Sequence, residues 1–160
     1  MKLIEYPTEE IFLDNHVRRI EGLFGEYLED KKRPDKKEPN FIWDTPYQRG
    51  YVWDLQDKQK LIQSFVNKVD IGKIVLAKRC DVCFSKEIVD GKQRLNALFE
   101  FLDNKFPVKA LDEKYYFFKE LNKPEQFMIE DIKIQIVEIQ RATEEIILKT
   151  FIRHNTSGKR

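Results

Sequence analysis

A chain of 160 residues fits one domain, long enough to bury roughly two-thirds of the surface its unfolded form exposes. With 41% hydrophobic and 36% charged residues, and 29 Lys plus Arg against 28 Asp plus Glu, it reads as globular and nearly neutral. No whole-molecule field argues for nucleic acid, so any such binding has to come from a local patch. No apolar run approaches the roughly 20 residues that a bilayer span needs, and Met1 to Tyr6 lacks the apolar centre of a signal peptide; a cytoplasmic protein without a membrane partner is expected.

In chain order, Thr8 followed by Glu9 and Glu10 predicts a first helix, with Phe12, His16, Ile20, Leu23, Phe24 and Tyr27 on its inner face. Between Glu26 and Pro39 ten of fourteen residues are charged and two are proline, the composition of a mobile loop. Phe41 to Trp43 is a short strand. Asp57 to Val69 carries Leu61, Ile62, Phe65, Val66 and Val69 on one face, a second buried helix. Ile71-Gly72 closes it, Lys73 to Ala77 is the next strand, and Val82 to Val89 is antiparallel to that strand through a turn near Arg79 to Asp81.

After Arg94 the residues Leu95, Leu98, Phe99 and Leu102 recur at i, i+3, i+4 and i+7, which predicts a helix packed on a core, ended by Asn104 to Pro107. Four consecutive aromatic residues at Tyr115 to Phe118 suit a strand. Ile132, Ile134 and Ile136 alternate with polar residues in a further strand, and Thr143, Glu144 and Glu145 open a helix through Ile146, Ile147 and Phe151. Helices mixed with strands and hairpins indicate an α+β domain, a small mixed sheet flanked by helices.

Cys80 and Cys83 form one Cys-x-x-Cys among strand-like residues. A redox pair of this kind needs its first thiolate at a helix N-terminus. A zinc site needs two more ligands, which His16 and His154, remote and without ligand spacing, do not supply. Structural cysteines are expected.

Three stretches carry chemistry. In Ile88-Val89-Asp90-Gly91-Lys92-Gln93-Arg94-Leu95 a strand runs into an Asp-Gly turn and a basic, amide-rich helix opening. Unpaired N–H groups and the partial positive charge of a helix start favour anions, and Lys92 and Arg94 add cationic donors. The plainer alternative makes Asp90 the N-cap, Gly91 the turn and the basic side chains solvated. In Pro46-Tyr47-Gln48-Arg49-Gly50-Tyr51-Val52-Trp53 a guanidinium and an amide sit among large aromatics, as a nucleotide or a nucleic-acid backbone requires, and as a core-capping loop would also have them. In Phe151-Ile152-Arg153-His154-Asn155-Thr156-Ser157-Gly158-Lys159-Arg160 the Gly-Lys pair is no P-loop, because residue 153 is not glycine and no Ser or Thr follows Lys159. Arg153 and Asn155 either present donors to a ligand or belong to a solvated tail.

Together, in this order, the three stretches resemble the N-terminal domain of GmrSD-type modification-dependent restriction systems, a family with a ParB/sulfiredoxin-like fold. The likeness spans roughly residues 40 to 160 and includes the Lys58 to Ile74 segment with Ser64 and Asp70-Ile71-Gly72. Lys92 stands where the family usually has Gln, and His154 where an apolar or small residue is more usual. Relatives continue into a helical region and often a His-Asn-His nuclease domain; by comparison this chain is expected to be an excised piece, a truncated copy or a small stand-alone relative.

The resemblance implies a domain that binds and hydrolyses a nucleoside triphosphate, with Mg2+, to control cleavage of modified or foreign DNA in defence against phage. Carried onto this chain, Asp90 would orient water or the divalent ion and Gln93 and Arg94 would contact phosphates beside Gly91 and Lys92. Gln48 and Arg49 would complete the pocket from a facing loop, and Arg153 and Asn155 would close it from the last helix. Two other readings stand beside this one. One is a ParB-like DNA-binding or nucleolytic domain gripping backbone phosphate. The other is a non-catalytic interaction module that pairs with a longer relative or with a helical or nuclease domain.

Overall fold

In the computed structural model, which describes residues 12–35, 37–44 and 52–157 and, of these, the side chains of 13–150, the elements alternate without repeats. They are β1 (Phe12–Arg19), α1 (Ile20–Lys32), β2 (Phe41–Ile42), α2 (Leu55–Val66), β3 (Ile74–Ala77), β4 (Lys86–Asp90), α3 (Lys92–Leu102), β5 (Val108–Lys109) and β6 (Tyr115–Tyr116). A short 3-10 turn at Phe118–Glu120 follows, then α4 (Lys123–Glu130), β7 (Lys133–Gln140) and α5 (Glu144–Ser157). Five strands form one mixed sheet in the order β1-β7-β3-β4-β2, and β5 and β6 make a separate hairpin. The architecture is α+β, as expected, and compatible with a ParB-like arrangement.

Strand alternation divides the core in two. Ile74, Leu76, Ile88, Ile134 and Ile136 face α1, α2 and α3 in the larger cluster, where Ile20, Leu23, Ile62, Leu95, Leu98 and Phe99 are all but fully buried. Val75, Ala77, Val89 and Ile139 point to the other face and meet Ile146 and Ile147 of α5. At roughly 25 cal/mol per Å2 of apolar surface, the first cluster is the main source of stability. Phe99 is its hub, in ring contact with Phe24, Tyr27, Phe41 and Trp43 at 4.7 to 6.2 Å.

Four expectations change. The first helix begins only at Ile20: residues 12–19 are β1, antiparallel to β7 with His16 opposite Ile136. Phe12 and His16 are four apart, which is one helical turn but also twice the strand period, so the spacing fits either element. Pairing with the long, buried-faced β7 decides it. The proposed Thr8 cap lies outside the described residues.

In the charged run, α1 continues to Lys32 because Tyr27 packs on Phe99. The Asp30 carboxylate then accepts from the backbone N–H groups of Asn40 (2.7 Å) and Phe41 (3.0 Å), tying the connection to the start of β2. The two cysteines are joined, Cys80 to Cys83, across the β3–β4 connection with their Cα atoms 5.2 Å apart, inside the range a disulfide can bridge. The β5 strand and the α4 helix lie in a stretch where no helix was expected. Asn122 caps α4 by accepting from Glu125 N–H, with Pro124 in the first turn.

Candidate functional site

The corner between β4 and α3 is built from residues that local geometry requires. β4 is buried over Glu87–Asp90 and delivers the chain into Gly91, whose φ of 95° and ψ of 17° are left-handed. Gly91, not Asp90, is the N-cap residue, and a glycine supplies no side-chain cap of its own. A Cβ on Gly91 would stand 2.5 Å from Ile74 Cδ1 and 3.1 Å from Arg94 Nη2. Both the dihedrals and the packing therefore demand glycine. The buried stripe Leu95, Leu98, Phe99 and Leu102, with Ala97 and Phe101, then fixes α3 against the sheet.

Arg94 ties this corner to a second one. Its Nη1 donates to the Ile71 carbonyl at 2.8 Å, and its Nη2 lies 3.4 Å from the Asp90 carboxylate one helical turn earlier. The two side chains are only 17% and 12% exposed, so water screens the pair weakly. The second corner is the Asp70-Ile71-Gly72 turn, where Gly72 N–H donates to Asp70 Oδ1 at 2.9 Å and a Cβ on Gly72 would meet Arg94 Nη1 at 2.9 Å. One guanidinium thus holds two turns and a carboxylate in a fixed relation. The sequence marks Ile71 and Gly72 only as part of the family likeness and assigns them no role, since nothing local reveals a carbonyl aimed at a side chain 23 residues on.

Gln93 faces the opposite way. Its Oε1 accepts from Trp53 N–H at 3.2 Å. Trp43 meets Phe99 edge-on at 6.0 Å, so both described flanks of the 45–51 segment rest on α3. Gln48 and Arg49 themselves lie outside the described residues. Beside Trp53 a shallow recess of about 310 Å3 is lined by Asp57, Lys60, Leu61 and Ser64; Lys60 was not singled out from the sequence. Lys92 occupies the first position of α3, half-buried.

Arg153 and Asn155 are on the later turns of α5, and their side chains lie outside the described residues. The helix starts where Arg79 Nη2 meets Glu144 at 3.0 Å; the same guanidinium holds Glu87 on β4. The hydrogen bond and charge of Glu87 push the Arg79 pKa further up, so this clamp stays charged at every accessible pH. From there Ile146 and Ile147 of α5 pack in one buried cluster with Val89, on the sheet face opposite α3. At 1.5 Å per residue, Arg153 lies roughly 14 Å along the axis from Glu144.

Among the described residues no group of three or more His, Cys, Asp or Glu is arranged to hold a metal ion, and no helix is long and apolar enough to cross a membrane. No curated protein and no solved structure matches the chain. Residues 24–160 do match the family described as the GmrSD restriction endonuclease, N-terminal domain. Having that match over most of its length, the chain belongs to the GmrSD N-terminal domain family and is a restriction endonuclease-related domain.

Proposed function

We propose that this domain binds a nucleoside triphosphate at the β4–α3 corner and hydrolyses it to control cleavage of modified or foreign DNA. The observation that carries the reading is the α3 start: a buried strand enters an eleven-residue helix through a left-handed glycine, which has no side chain of its own to cap it, and helix-start amides beside Lys92 favour an anion. The Arg94–Asp90–Ile71 link supplies rigidity, which phosphoryl transfer uses as positioning. In this reading Lys92, Gly91 and Gln93 approach the phosphates and Arg94 stabilises the corner while lending positive charge. Gln48 and Arg49 come from the segment whose flanks rest on α3, and Arg153 and Asn155 from the end of α5.

Among the described residues Asp90 is the carboxylate at the β4–α3 corner itself, so a Mg2+ here would take most of its ligands from phosphate and water. That fits the ion's habit of keeping waters and using one or two carboxylates. The ion would neutralise charge on the phosphates, and Asp90 would hold the attacking water or the ion's hydration shell. The Trp53 recess offers a ring on which a base can stack.

Calorimetric titration with each of the four ribonucleoside triphosphates plus Mg2+, with phosphate release measured in parallel, tests the reading. Binding of at least one, weakened by Lys92→Ala and by Arg94→Lys, is expected. Binding undiminished by both substitutions removes the corner as the phosphate site. DNA affinity that needs no nucleotide and falls steeply with salt would transfer the assignment to the ParB-like alternative. A chain that binds neither, but captures a longer relative, would be the interaction module.

A further inference from the structure

The outer edge of β1 carries a self-complementary pattern. Ile20 N–H donates to Ile132 O at 2.8 Å, in register with the β1–β7 ladder, while Ile139 O accepts from Lys78 N–H on the β3 side. Hydrogen-bonded positions recur every second residue in an antiparallel ladder. The even residues of β1 therefore bond to β7, and the N–H and C=O groups of Leu13, Asn15 and Val17 point away from the sheet. Among the described residues no strand takes them. The same three residues are exposed, with Leu13 at 52% and Val17 at 55%. An eight-residue open edge bearing two large apolar side chains is a template for another strand.

We propose that the occupant is a second copy of this chain, paired antiparallel with β1 about Asn15 to make one continuous sheet. In that register Leu13 stands opposite Val17 of the second copy and Val17 opposite its Leu13, joining the exposed apolar side chains on one face. On the other face Asp14 stands opposite His16 and His16 opposite Asp14, carboxylate against imidazole. Within one copy these two already lie 3.3 Å apart. Asn15 meets itself. Each outward-pointing pair exchanges both backbone bonds. Moving the centre to His16 instead puts Leu13 against Arg19 and like against like at His16. It also sets Asp14 against Arg18, whose guanidinium is already held by Glu26 at 2.5 Å. Matching of the apolar pairs, with each carboxylate facing an imidazole that can donate to it, selects the Asn15-centred register.

Sedimentation velocity over a concentration series, together with oxidative cross-linking, tests this. The native chain should show a reversible monomer–dimer equilibrium. Val17→Lys, at an exposed position that leaves the fold intact by circular dichroism, should raise the dimer dissociation constant about tenfold or more, since two symmetry-related cross-strand pairs are lost. Asn15→Cys, in a chain whose Cys80 and Cys83 are already joined, should yield a covalent dimer under mild oxidation, because facing residues bring their Cα atoms to about 5.5 Å. The native chain gives none under the same conditions. A native chain that stays monomeric throughout while Asn15→Cys fails to cross-link overturns the proposal. So does His16→Cys cross-linking in preference to Asn15→Cys.

Discussion

Replacing Gly91 by alanine should destabilise the fold through two separable terms. A non-glycine residue in the left-handed region costs about 1–2 kcal/mol, and Gly91 sits at φ 95°. The added Cβ would lie 2.5 Å from Ile74 Cδ1, and forcing one methyl into a packed core costs about 1–3 kcal/mol. The total is about 2–5 kcal/mol, a large share of the roughly 5–15 kcal/mol that holds a domain folded. For a chain of this size the thermal midpoint should fall by roughly 5–15 °C. Ile74→Val, which lacks the clashing Cδ1, separates the terms. Alone it should cost about 0.5–1.5 kcal/mol, and in its background Gly91→Ala should cost only the backbone share, a coupling of about 1–3 kcal/mol in a double-mutant cycle. Urea melts of the four proteins measure this. A Gly91→Ala protein within about 0.5 kcal/mol of native, which is ordinary for a neutral surface change, would refute the account of the corner. A cycle with no coupling would refute the steric half of it.

The Asp112 carboxyl is held below its ordinary value of 3.8, chiefly by the Tyr116 hydroxyl that donates to it and next by Lys114 N–H. A lowered carboxylate stabilises the fold fully above that ordinary value and loses the contribution as pH falls through the folded one. Tyr116→Phe should therefore move the Asp112 titration midpoint upward, as followed by NMR, and leave the melt at pH 2 nearly unchanged. Reduction of the Cys80–Cys83 bridge releases only a four-residue loop, so a dithiol should lower stability by about 2 kcal/mol or less, read from urea melts with and without reductant. A loss of twice that would mean that the Arg79 and Arg141 clamps around the turn depend on the bridge.

Where a local period reflected burial, the sequence was a reliable guide. The Leu95–Leu98–Phe99–Leu102 stripe is α3, the Ile132–Ile134–Ile136 alternation leads into β7, and the Asp-Gly turn after Val89 lies where the strand ends. In the candidate site, Asp90, Gly91 and Arg94 were expected together, and they share one corner. What was not legible is that Arg94 spends a donor on the Ile71 carbonyl. A backbone acceptor carries no residue signature, so any amino acid at position 71 would read the same. The disulfide was missed for a related reason, since two cysteines three apart fit a thiol pair and a bridged turn alike until the loop's path brings their Cα atoms within bonding range.

By itself the chain determined its α+β class, the glycine corner and the apolar stripes of α2, α3 and α5, because periodicity, capping and left-handed turns are written in residues close together. Only the tertiary structure decided that residues 12–19 are a strand, that α3 and α5 lie on opposite faces of the sheet, and that two turns are locked by one arginine. Those outcomes rest on partners far away along the chain, Ile136 for His16 and Ile71 for Arg94. Such pairing energies appear only when loop closure brings the segments together.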